Sequence, residues 1–548
     1  METKNLFATP VDGIVPTYLN PNDTTHRTEE LIGRQAPRWY ANGDETEIAK
    51  ALAPLKGKTV YLYGFGAQSG NHARCLRSEG VKVKILGRTA SSSSMLAAIE
   101  DGFEVVPLNG FDPDDADVLC FGIPDDQQVS VLPAILKRLD PYKTTLGFFH
   151  GMTVYYGMRG FYGQKLVQAL DEGWNIFIVA PKGPGNTVWT NKQAGGGIAC
   201  LFGAHEDSPD LEGTEKLAMA YATALGGYKG IMIDTSFLEE TVTDHFGEQG
   251  VLCGVMFYAT YFMINLLQQE FGYSPEEAQQ KVEQEIIKVG HLIRRGGAKH
   301  ALTASGRKVI SNAEKWASAF YGQPVSIGDM LCEGLENTGF DLRLHQPHLS
   351  PVDAVGKTVA GEKLKAPSPL TDVWEGGILG ILLTASSIQY QLGIEAGYSQ
   401  PGMQFEVQQE IALITDCYLR GGLSYMIMRI STTAKHGMFV SGRYIVESQE
   451  ISVRERFANV LGAIQDGSYA KQTKMDLVDI PRGDAKDWLW EAVLAVVTSP
   501  EEMSSIEQRP SAREDFQGNT VNTLVVTFSS ERPWDYEFLS QTGEIVPA

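Results

Sequence analysis

Two segments of the chain repeat one pattern at a constant spacing of 125 residues. The segment 272–297 reads GYSPEEAQQKVEQEIIKVGHLIRRGG, and the segment 397–422 reads GYSQPGMQFEVQQEIALITDCYLRGG. They share the initial GYS, the pattern Q-x-x-V-x-Q-E-I and the final R-G-G, and an uncharged stretch precedes each copy. The repeat predicts a duplicated all-helical domain in which each copy buries its apolar face against the other.

The first half of the chain shows a different pattern, in which strands alternate with helices. Apolar strands are predicted within TVYLYGFG, VKVKILGR, DVLCFGIPDD, TTLGFFHG and NIFIVAPKGPG. This alternation predicts a parallel, doubly wound, Rossmann-like sheet whose carboxyl-end loops bind ligands. After about residue 235 long helical stretches take over, and a strand is predicted again only in NTLVVTF near the end. The predicted units are an N-terminal arm (1–55), a nucleotide-binding domain (56–232), two helical copies (233–345 and 346–494) and a C-terminal tail (495–548).

Composition and charge argue against several classes of protein. The 46 basic and 67 acidic residues give a net charge of −21, which disfavours binding to nucleic acid or to an anionic membrane. The six cysteines form no C-x-x-C pair, so neither a disulfide framework nor a zinc site is predicted, and a reducing cytoplasm fits best. The N-terminus METKNLFATPVDG has no basic region followed by an apolar core, so no export signal is predicted.

Two uncharged stretches are long enough to be candidate membrane spans. They cover residues 250–267 and 376–394. Both contain polar side chains and lack flanking basic clusters, so we predict buried helices of a large core and no membrane partner.

The segment YGFGAQSGN indicates a dinucleotide site. Gly64 and Gly66 lie where such a fold needs a tight turn and close approach to a pyrophosphate, at the N-terminus of a helix. Ser69 occupies the usual place of the third glycine. Arg88 and the serines after it suit a 2′-phosphate, so NADPH is favoured over NADH, with a solvated serine-rich loop as the alternative. The predicted cofactor contacts here are Gly64, Gly66, Ala67, Gln68, Ser69, Arg88, Ser91 and Ser93.

Acidic residues recur at four-residue steps in EETVTDHFGEQ. Glu240, Asp244 and Glu248 would share one helix face, although like charges at this spacing cost a helix about 0.2–0.5 kcal/mol per pair. The second copy of the repeat adds Glu406 and Glu410, one helical turn apart. Carboxylate pairs from both copies, without a Cys or His cluster, favour Mg²⁺ over zinc in a two-metal site. Taken alone, either pair is more typical of a solvated helix face.

Several motifs, in order and spacing, resemble one enzyme family. From about residue 58 to residue 465 the chain resembles ketol-acid reductoisomerase (acetohydroxy acid isomeroreductase), as a divergent member of the long form with a duplicated helical domain. The matching motifs are GFGAQ, GIPDDQQ, FHGMTV, VAPKGPGNTV, SFLEETVTDHFGEQGVLCG, FEVQQEIALITD and ISTTAKHG.

The resemblance implies a Rossmann-like domain, a knotted helical domain and a two-step reaction in branched-chain amino-acid synthesis. The implied substrates are the 2-hydroxy-3-keto acids 2-acetolactate and 2-aceto-2-hydroxybutyrate. Two Mg²⁺ ions hold the substrate oxygens while an alkyl group migrates, and NADPH then delivers hydride to the new 2-keto group.

The resemblance also implies roles for individual residues. Asp244, Glu248, Glu406 and Glu410 match the metal ligands, and Glu248 is also placed for proton transfer. Ser431 matches the serine that holds the substrate carboxylate. The residues that match polar groups at the strand ends and the cofactor-side loop are His150, Lys182, Pro124, Asp125 and Gln127, with His150 serving both catalysis and cofactor binding.

A few positions depart from the family pattern. Trp189 stands where Arg is usual, Ala199 ends a stretch that usually closes with Val-Pro, and Lys435 and His436 replace Glu-Tyr. Two alternatives therefore stay open: a divergent enzyme for another 2-hydroxy-3-keto or 2-keto acid, and a non-catalytic protein that binds nucleotide or assembles with a partner. Buried apolar helices in a paired domain also predict a homo-oligomer, at least a dimer.

Overall fold

The computed structural model describes residues 45–327 and 375–470, except 184, 186, 194 and 230, and five short strands outside these ranges. The predicted boundaries at 345/346 and 494/495 lie outside the described residues. The predicted knot depends on the whole path of the helical region, which includes residues 328–374, and these also lie outside the described residues. The strands, in chain order, are β1 Glu30–Leu31, β2 Arg34–Gln35, β3 Trp39–Ala41, β4 Thr59–Tyr63, β5 Lys82–Gly87, β6 Glu104–Pro107, β7 Val118–Phe121, β8 Thr145–Phe148, β9 Ile176–Pro181, β10 Cys200–Ala204, β11 Ile231–Asp234, β12 Val525–Phe528 and β13 Tyr536–Leu539.

Nine strands form one sheet in the order β3-β11-β10-β9-β8-β7-β4-β5-β6. The six consecutive strands β9-β8-β7-β4-β5-β6 are parallel to one another, as the alternation of strands and helices predicts. Every residue of β4 and β7 is buried, because helices cover both faces of the sheet. The Rossmann-like fold class is thereby confirmed.

The other half of the sheet departs from a purely parallel arrangement. The chain doubles back after β9, so that β10 runs antiparallel to it. The edge strand β3 pairs antiparallel with β11, so part of the predicted irregular arm belongs to the sheet. The edge strand β3 has only three residues, which is too few for a clear alternating pattern. The apolar strand β10 follows a glycine-rich stretch, and its antiparallel direction depends on contacts with a distant part of the chain.

Eighteen α-helices lie within the described residues. Those of the nucleotide-binding region are α1 Glu45–Ala51, α2 Ala67–Ser78, α3 Ser93–Glu100, α4 Asp125–Leu136, α5 Met152–Met158, α6 Gln164–Leu170, α7 Thr187–Gln193 and α8 Leu211–Ala224. Those of the helical region are α9 Phe237–Gly247, α10 Met256–Phe271, α11 Pro275–Thr303, α12 Arg307–Tyr321, α13 Gly377–Glu395, α14 Gln400–Gln404, α15 Glu410–Arg429, α16 Thr432–His436, α17 Gly442–Glu447 and α18 Val453–Asp466.

Three short π-helices interrupt the described part of the helical region. They are Glu248–Val255, Phe405–Gln409 and Gly437–Ser441. A π-helix widens the helical turn and redirects the side chains that follow it, and such turns are frequent at functional sites. Two of the three contain or begin at a predicted metal ligand, namely Glu248 and Glu406.

The two apolar stretches are core helices of this fold. The continuous helical run Phe237–Phe271 and the helix α13 have the length and hydropathy of membrane spans, but 83% and 89% of their most apolar windows are buried inside the protein. Their side chains join the largest apolar cluster that the described residues form.

The two copies of the repeat contact each other at equivalent positions. Helices α11 and α15 carry matching residues of the two copies and pack side by side. Gly290 lies against Thr415, its counterpart 125 residues later, and a Cβ at position 290 would overlap that threonine side chain. Glu285 of the first copy accepts hydrogen bonds from the backbone N–H groups of Gly376 and Ile378, where α13 begins.

Candidate active site

A cavity of about 650 Å³ lies between the carboxyl ends of the parallel strands and the helical region. Loops that follow β4, β7, β8 and β9 form one wall, which is where a doubly wound sheet places its ligands. The predicted site residues that line it are Gly66, Ala67, Gln68, Pro124, Asp125, His150, Lys182, Asp244, Glu248, Glu410 and Ser431.

The turn after β4 has the geometry of a dinucleotide-binding loop. Gly64 has a φ of +101°, a conformation that only glycine adopts readily, and its N–H donates to the carbonyl of Leu86 on β5. Gly66 caps α2, and its N–H donates to Ser69 Oγ at 2.9 Å. Ser69 thus has a definite role in the turn, although it replaces the third glycine.

The remaining predicted cofactor residues lie around this turn. Arg88, Ser91 and Ser93 are exposed near the carboxyl end of β5, next to the strand that leads into the loop. They do not line the cavity itself. Gln127 lies on the first turn of α4, where its backbone N–H donates to the carbonyl of Pro124.

Lys182 lies at the centre of a group of carboxylates. Its Nζ is 3.1 Å from Glu240 Oε1, 2.7 Å from Asp244 Oδ1 and 2.8 Å from Glu406 Oε1. The side chain is 2% exposed. Burial by itself lowers the pKa of Lys182, but the surrounding carboxylates outweigh it and raise the pKa well above its ordinary value. Lys182 is therefore a fixed cation.

His150 joins this group from the loop after β8. Its Nε2 lies 3.1 Å from Asp244 Oδ2, and its Nδ1 accepts the Met152 backbone N–H at 3.3 Å. In the neutral form of the His150 ring this pattern favours a proton on Nε2, which faces Asp244, whereas a protonated ring would give up the contact at Nδ1. Burial lowers the pKa of His150, yet the negative charges of Glu240, Asp244 and Asp125 raise it well above its ordinary value.

Glu248 and Ser431 both line the cavity and contact each other. The Ser431 hydroxyl donates to Glu248 Oε1 at 3.0 Å, although the two residues are 183 positions apart. Ser431 Oγ also accepts the backbone N–H of Ala434 at 2.9 Å and so caps α16. Burial is the largest cause of the rise in the pKa of Glu248 to about 8, and Asp244 adds to it.

The carboxylates of the second copy are also buried. Burial raises the pKa of Glu410 to about 7 and that of Glu406 well above its ordinary range. Burial also opposes ionisation of Asp244, but Lys182 and His150 outweigh it and lower the pKa of Asp244 below its ordinary range. One carboxylate is therefore held ionised by direct cationic contacts, while its neighbours favour protons or further cations.

Two groups of side chains have the spacing of a metal site. One consists of His150, Glu240 and Asp244, and the other of Asp244, Glu406 and Glu410; within each group, one ligand atom per residue lies within 4.8 Å of the others. Three of the four predicted metal ligands therefore converge. Glu248 belongs to neither group and contacts Ser431 instead.

Glu240 is a site residue that the sequence analysis did not select. It is fully buried, and its Oε2 accepts the backbone N–H of Gly151 at 2.7 Å while Oε1 faces Lys182. Its place in the four-residue series with Asp244 was the only sequence signal, because its contacts are to residues 58 and 89 positions away.

The family departures occupy distinct places. Trp189 packs against the core of the nucleotide-binding region, and the carbonyl of the buried Ala199 accepts the backbone N–H of Lys182. His436 is buried, with its Nδ1 3.0 Å from Gln249 Oε1. Lys435 lines the cavity. Only this last departure thus changes the charge of the cavity wall.

Known proteins resemble both halves of the chain. The family model "Acetohydroxy acid isomeroreductase, NADPH-binding domain" matches residues 54–230. The model "Ketol-acid reductoisomerase, C-terminal domain" matches residues 237–326 and 375–488.

Solved structures are similar at low sequence identity. An NADH-preferring ketol-acid reductoisomerase from an uncultured archean is 20% identical, with 84% of this chain and 96% of that chain covered and a TM-score of 0.39. Prephenate dehydrogenase from A. aeolicus is 16% identical, with 42% and 77% covered and a TM-score of 0.30. The family assignment rests on the two domain models, which together match more than half of the chain. The chain belongs to the ketol-acid reductoisomerase family of oxidoreductases and isomerases, as its motifs predict.

Proposed function

We propose that the protein is a ketol-acid reductoisomerase that converts 2-acetolactate or 2-aceto-2-hydroxybutyrate to the 2,3-dihydroxy acid with Mg²⁺ and NADPH. One observation carries this proposal. A single cavity joins a dinucleotide turn at Gly66 to a buried group of carboxylates around Lys182. Hydride transfer and the rearrangement of an oxygen-rich substrate need these two parts side by side.

The charge of the site supports divalent cations as its cofactor. Five acidic side chains line the cavity, namely Asp125, Glu240, Asp244, Glu248 and Glu410, and Lys182 also contacts Glu406. The cation in contact with this group is Lys182, joined by His150 when its ring is protonated. A buried, uncompensated carboxylate costs several kcal/mol. Glu406 and Glu410 also have buried oxygens without a hydrogen-bond partner among the described residues. A site of carboxylate oxygens that lack hydrogen-bond partners, without a thiolate ligand, fits Mg²⁺.

We assign Asp244, Glu406 and Glu410 as the residues that hold Mg²⁺, with Glu248 as a further ligand. When bound, the ions polarise the 3-keto oxygen and stabilise negative charge on the substrate oxygens. Lys182 keeps Asp244, Glu406 and Glu240 in place and lowers the cost of their mutual repulsion. His150 fixes the other oxygen of Asp244.

The proposed reaction moves an alkyl group and then a hydride. In the first step the bond between C2 and the alkyl group breaks and a bond to C3 forms. The C2 hydroxyl loses its proton to become a ketone, and the C3 oxygen gains a proton. In the second step NADPH gives hydride to C2, and a proton goes to the C2 oxygen. Glu248, hydrogen-bonded to Ser431, is the group we assign to proton exchange with the substrate.

The preference for NADPH is part of this proposal. Arg88 and the serines at 91 and 93 are exposed beside the dinucleotide turn. A 2′-phosphate bound there would face solvent on one side and contact the Arg88 guanidinium and the serine hydroxyls on the other. Arg88→Ala should raise the KM for NADPH and leave the KM for NADH nearly unchanged.

The decisive experiment mixes the protein with 2-acetolactate, Mg²⁺ and NADPH and follows the absorbance of the reduced cofactor. We expect oxidation of NADPH that requires Mg²⁺ and is lost in Glu406→Gln. A protein that binds NADPH and Mg²⁺ without turnover would point to another 2-hydroxy-3-keto or 2-keto acid. A protein that binds neither would point to a non-catalytic member of the family.

A further inference from the structure

Lys435 is a cation of the cavity wall that forms no ion pair with any of the described residues. It lies on α16, lines the cavity and is partly buried. Among the residues that the structure describes, no carboxylate lies within ion-pair distance of its Nζ and none raises its pKa. Burial alone acts on the Lys435 ammonium and lowers its pKa. A partly buried ammonium without a counter-ion is costly, and it indicates that an anion is supplied from outside the protein.

The other lysine of the cavity provides a contrast. Lys182 contacts three carboxylates, so its positive charge is already balanced by side chains of the protein. Lys435 lines the same cavity from the segment of Ser431, and its backbone N–H donates to the Ser431 carbonyl at 3.1 Å. The two residues are therefore one helical turn apart on the cavity wall.

The hydrogen bonds of Ser431 explain why a second group is needed there. Its hydroxyl lies 3.0 Å from Glu248 Oε1 and 2.7 Å from Thr433 Oγ1, and its oxygen already accepts the Ala434 N–H. A hydroxyl has only one proton to donate. A substrate carboxylate near Ser431 would also lie beside the acidic side chain of Glu248, which supplies no positive charge, so the negative charge of the substrate requires a cation close by.

We propose that Lys435 binds the carboxylate of the substrate and so restricts the cavity to anionic 2-hydroxy-3-keto acids. The inference rests on the proposed function and adds a specificity residue to it, at a position where the family usually has Glu. An uncharged ester of the same acid offers no partner for Lys435. The protein should therefore distinguish the acid from its ester, and that distinction should depend on Lys435.

Calorimetric titrations with 2-acetolactate and with its methyl ester, in the presence of Mg²⁺ and without NADPH, test this inference. In Lys435→Met we expect the affinity for the acid to fall by about tenfold or more, because a charge-assisted contact is lost, with the affinity for the ester unchanged. Lys435→Arg should retain most of the affinity for the acid. Lys216→Met, which removes an exposed lysine paired with Glu212, is the matched control and should leave both affinities unchanged.

Binding of the ester also shows whether the Lys435→Met protein is folded. Equal losses for acid and ester, or no loss for either, would overturn the inference. So would a loss of NADPH affinity alone, because the anion would then be a cofactor phosphate. If the acid binds through Lys435 but is not turned over with NADPH, the carboxylate contact stands and the proposed reaction fails.

Discussion

Glu410 and Glu285 occupy the same position in the two copies of the repeat, yet their surroundings differ. Glu410 lines the cavity and lies within ligand distance of Asp244 and Glu406. Glu285 accepts two backbone N–H groups at the beginning of α13. The same side chain on equivalent helices therefore faces a ligand site in one copy and a helix terminus in the other.

This pair gives a matched test of the metal site. Mg²⁺ at 100 times its Kd should stabilise the wild-type protein by about 2.7 kcal/mol and raise its Tm. Glu410→Gln should lose most of this Mg²⁺-dependent rise, because a ligand is removed, whereas Glu285→Gln should keep it. Thermal unfolding with and without Mg²⁺ measures both. An equal response of the two variants would contradict the assignment of Glu410.

Glu285 should also make stability depend on pH. Burial raises the pKa of Glu285 to about 8, although hydrogen bonds from Gly376 and Ile378 oppose the rise. The folded protein therefore holds the Glu285 proton more tightly than the unfolded chain does. The contribution of Glu285 to the free energy of unfolding should decline as pH rises from about 4.5 to about 8.

Glu285→Gln removes that titration and keeps the acceptor oxygen. We expect the variant to gain stability relative to the wild-type protein between pH 5 and pH 8. Urea denaturation midpoints at both pH values, in the presence of EDTA, measure the difference. A constant difference between the two proteins would show that Glu285 does not titrate in this range.

At the level of elements, glycines allow two π-helical segments to touch at the site. A Cβ on Gly442 would lie 2.6 Å from Gly254 Cα, and one on Gly437 would lie 2.6 Å from the Glu248 carbonyl. This contact brings the segment after Glu248 against the segment after Ser431. Gln249 strengthens it, since its Nε2 donates to the Thr433 carbonyl and its Oε1 accepts from Ser441 Oγ.

Gly442→Ala should separate these segments. We expect a loss of about 1–3 kcal/mol in stability from overpacking, together with a fall in turnover as Ser431 moves away from Glu248. Gly462→Ala is the control, because Gly462 lies within α18 with open space at its Cβ, and alanine should stabilise that helix by up to about 1 kcal/mol. The Tm values and the rate of NADPH oxidation measure these effects. A Gly442→Ala protein as stable and active as the wild type would contradict the close contact.

At the scale of the whole molecule, α9 connects the sheet to the second copy of the repeat. Glu240 accepts the N–H of Gly151 after β8, while the adjacent Glu239 accepts the N–H of Ser399 at 2.8 Å, just before α14. The π-helix with Glu406 follows α14 directly. Two neighbouring carboxylates thus fix the distance between the strand ends and Glu406, one of the proposed metal ligands.

Glu239→Ala should weaken Mg²⁺ binding without touching a ligand. It leaves the Ser399 N–H without this acceptor, at a cost of about 1–3 kcal/mol, and releases the segment that carries Glu406. Glu239→Gln keeps an acceptor oxygen and should restore most of the Mg²⁺ affinity. Titration of Mg²⁺ against Tm compares the three proteins, and unchanged affinity in Glu239→Ala would contradict the positioning role.

Local sequence signals account for much of this architecture. The dinucleotide turn, the buried strands β4 and β7 and the apolar helices follow from contiguous patterns, and the motifs identify the family correctly. Contacts between distant residues do not follow from such patterns. The ion pair between Lys182 and Glu406 and the antiparallel placement of β10 depend on how the chain returns through space. The role of Glu240 is likewise not visible in the sequence, because its contacts are to residues far away along the chain.

The contact between Gly290 and Thr415 has a consequence for symmetry. At this crossing of α11 and α15, two threonines would collide and two glycines would leave a gap. The packing requires one small and one larger residue at equivalent positions, and two identical chains related by a twofold axis could not supply them. Joining both copies in one polypeptide lets each half diverge, so that the complementarity of the interface is encoded by the difference between the halves.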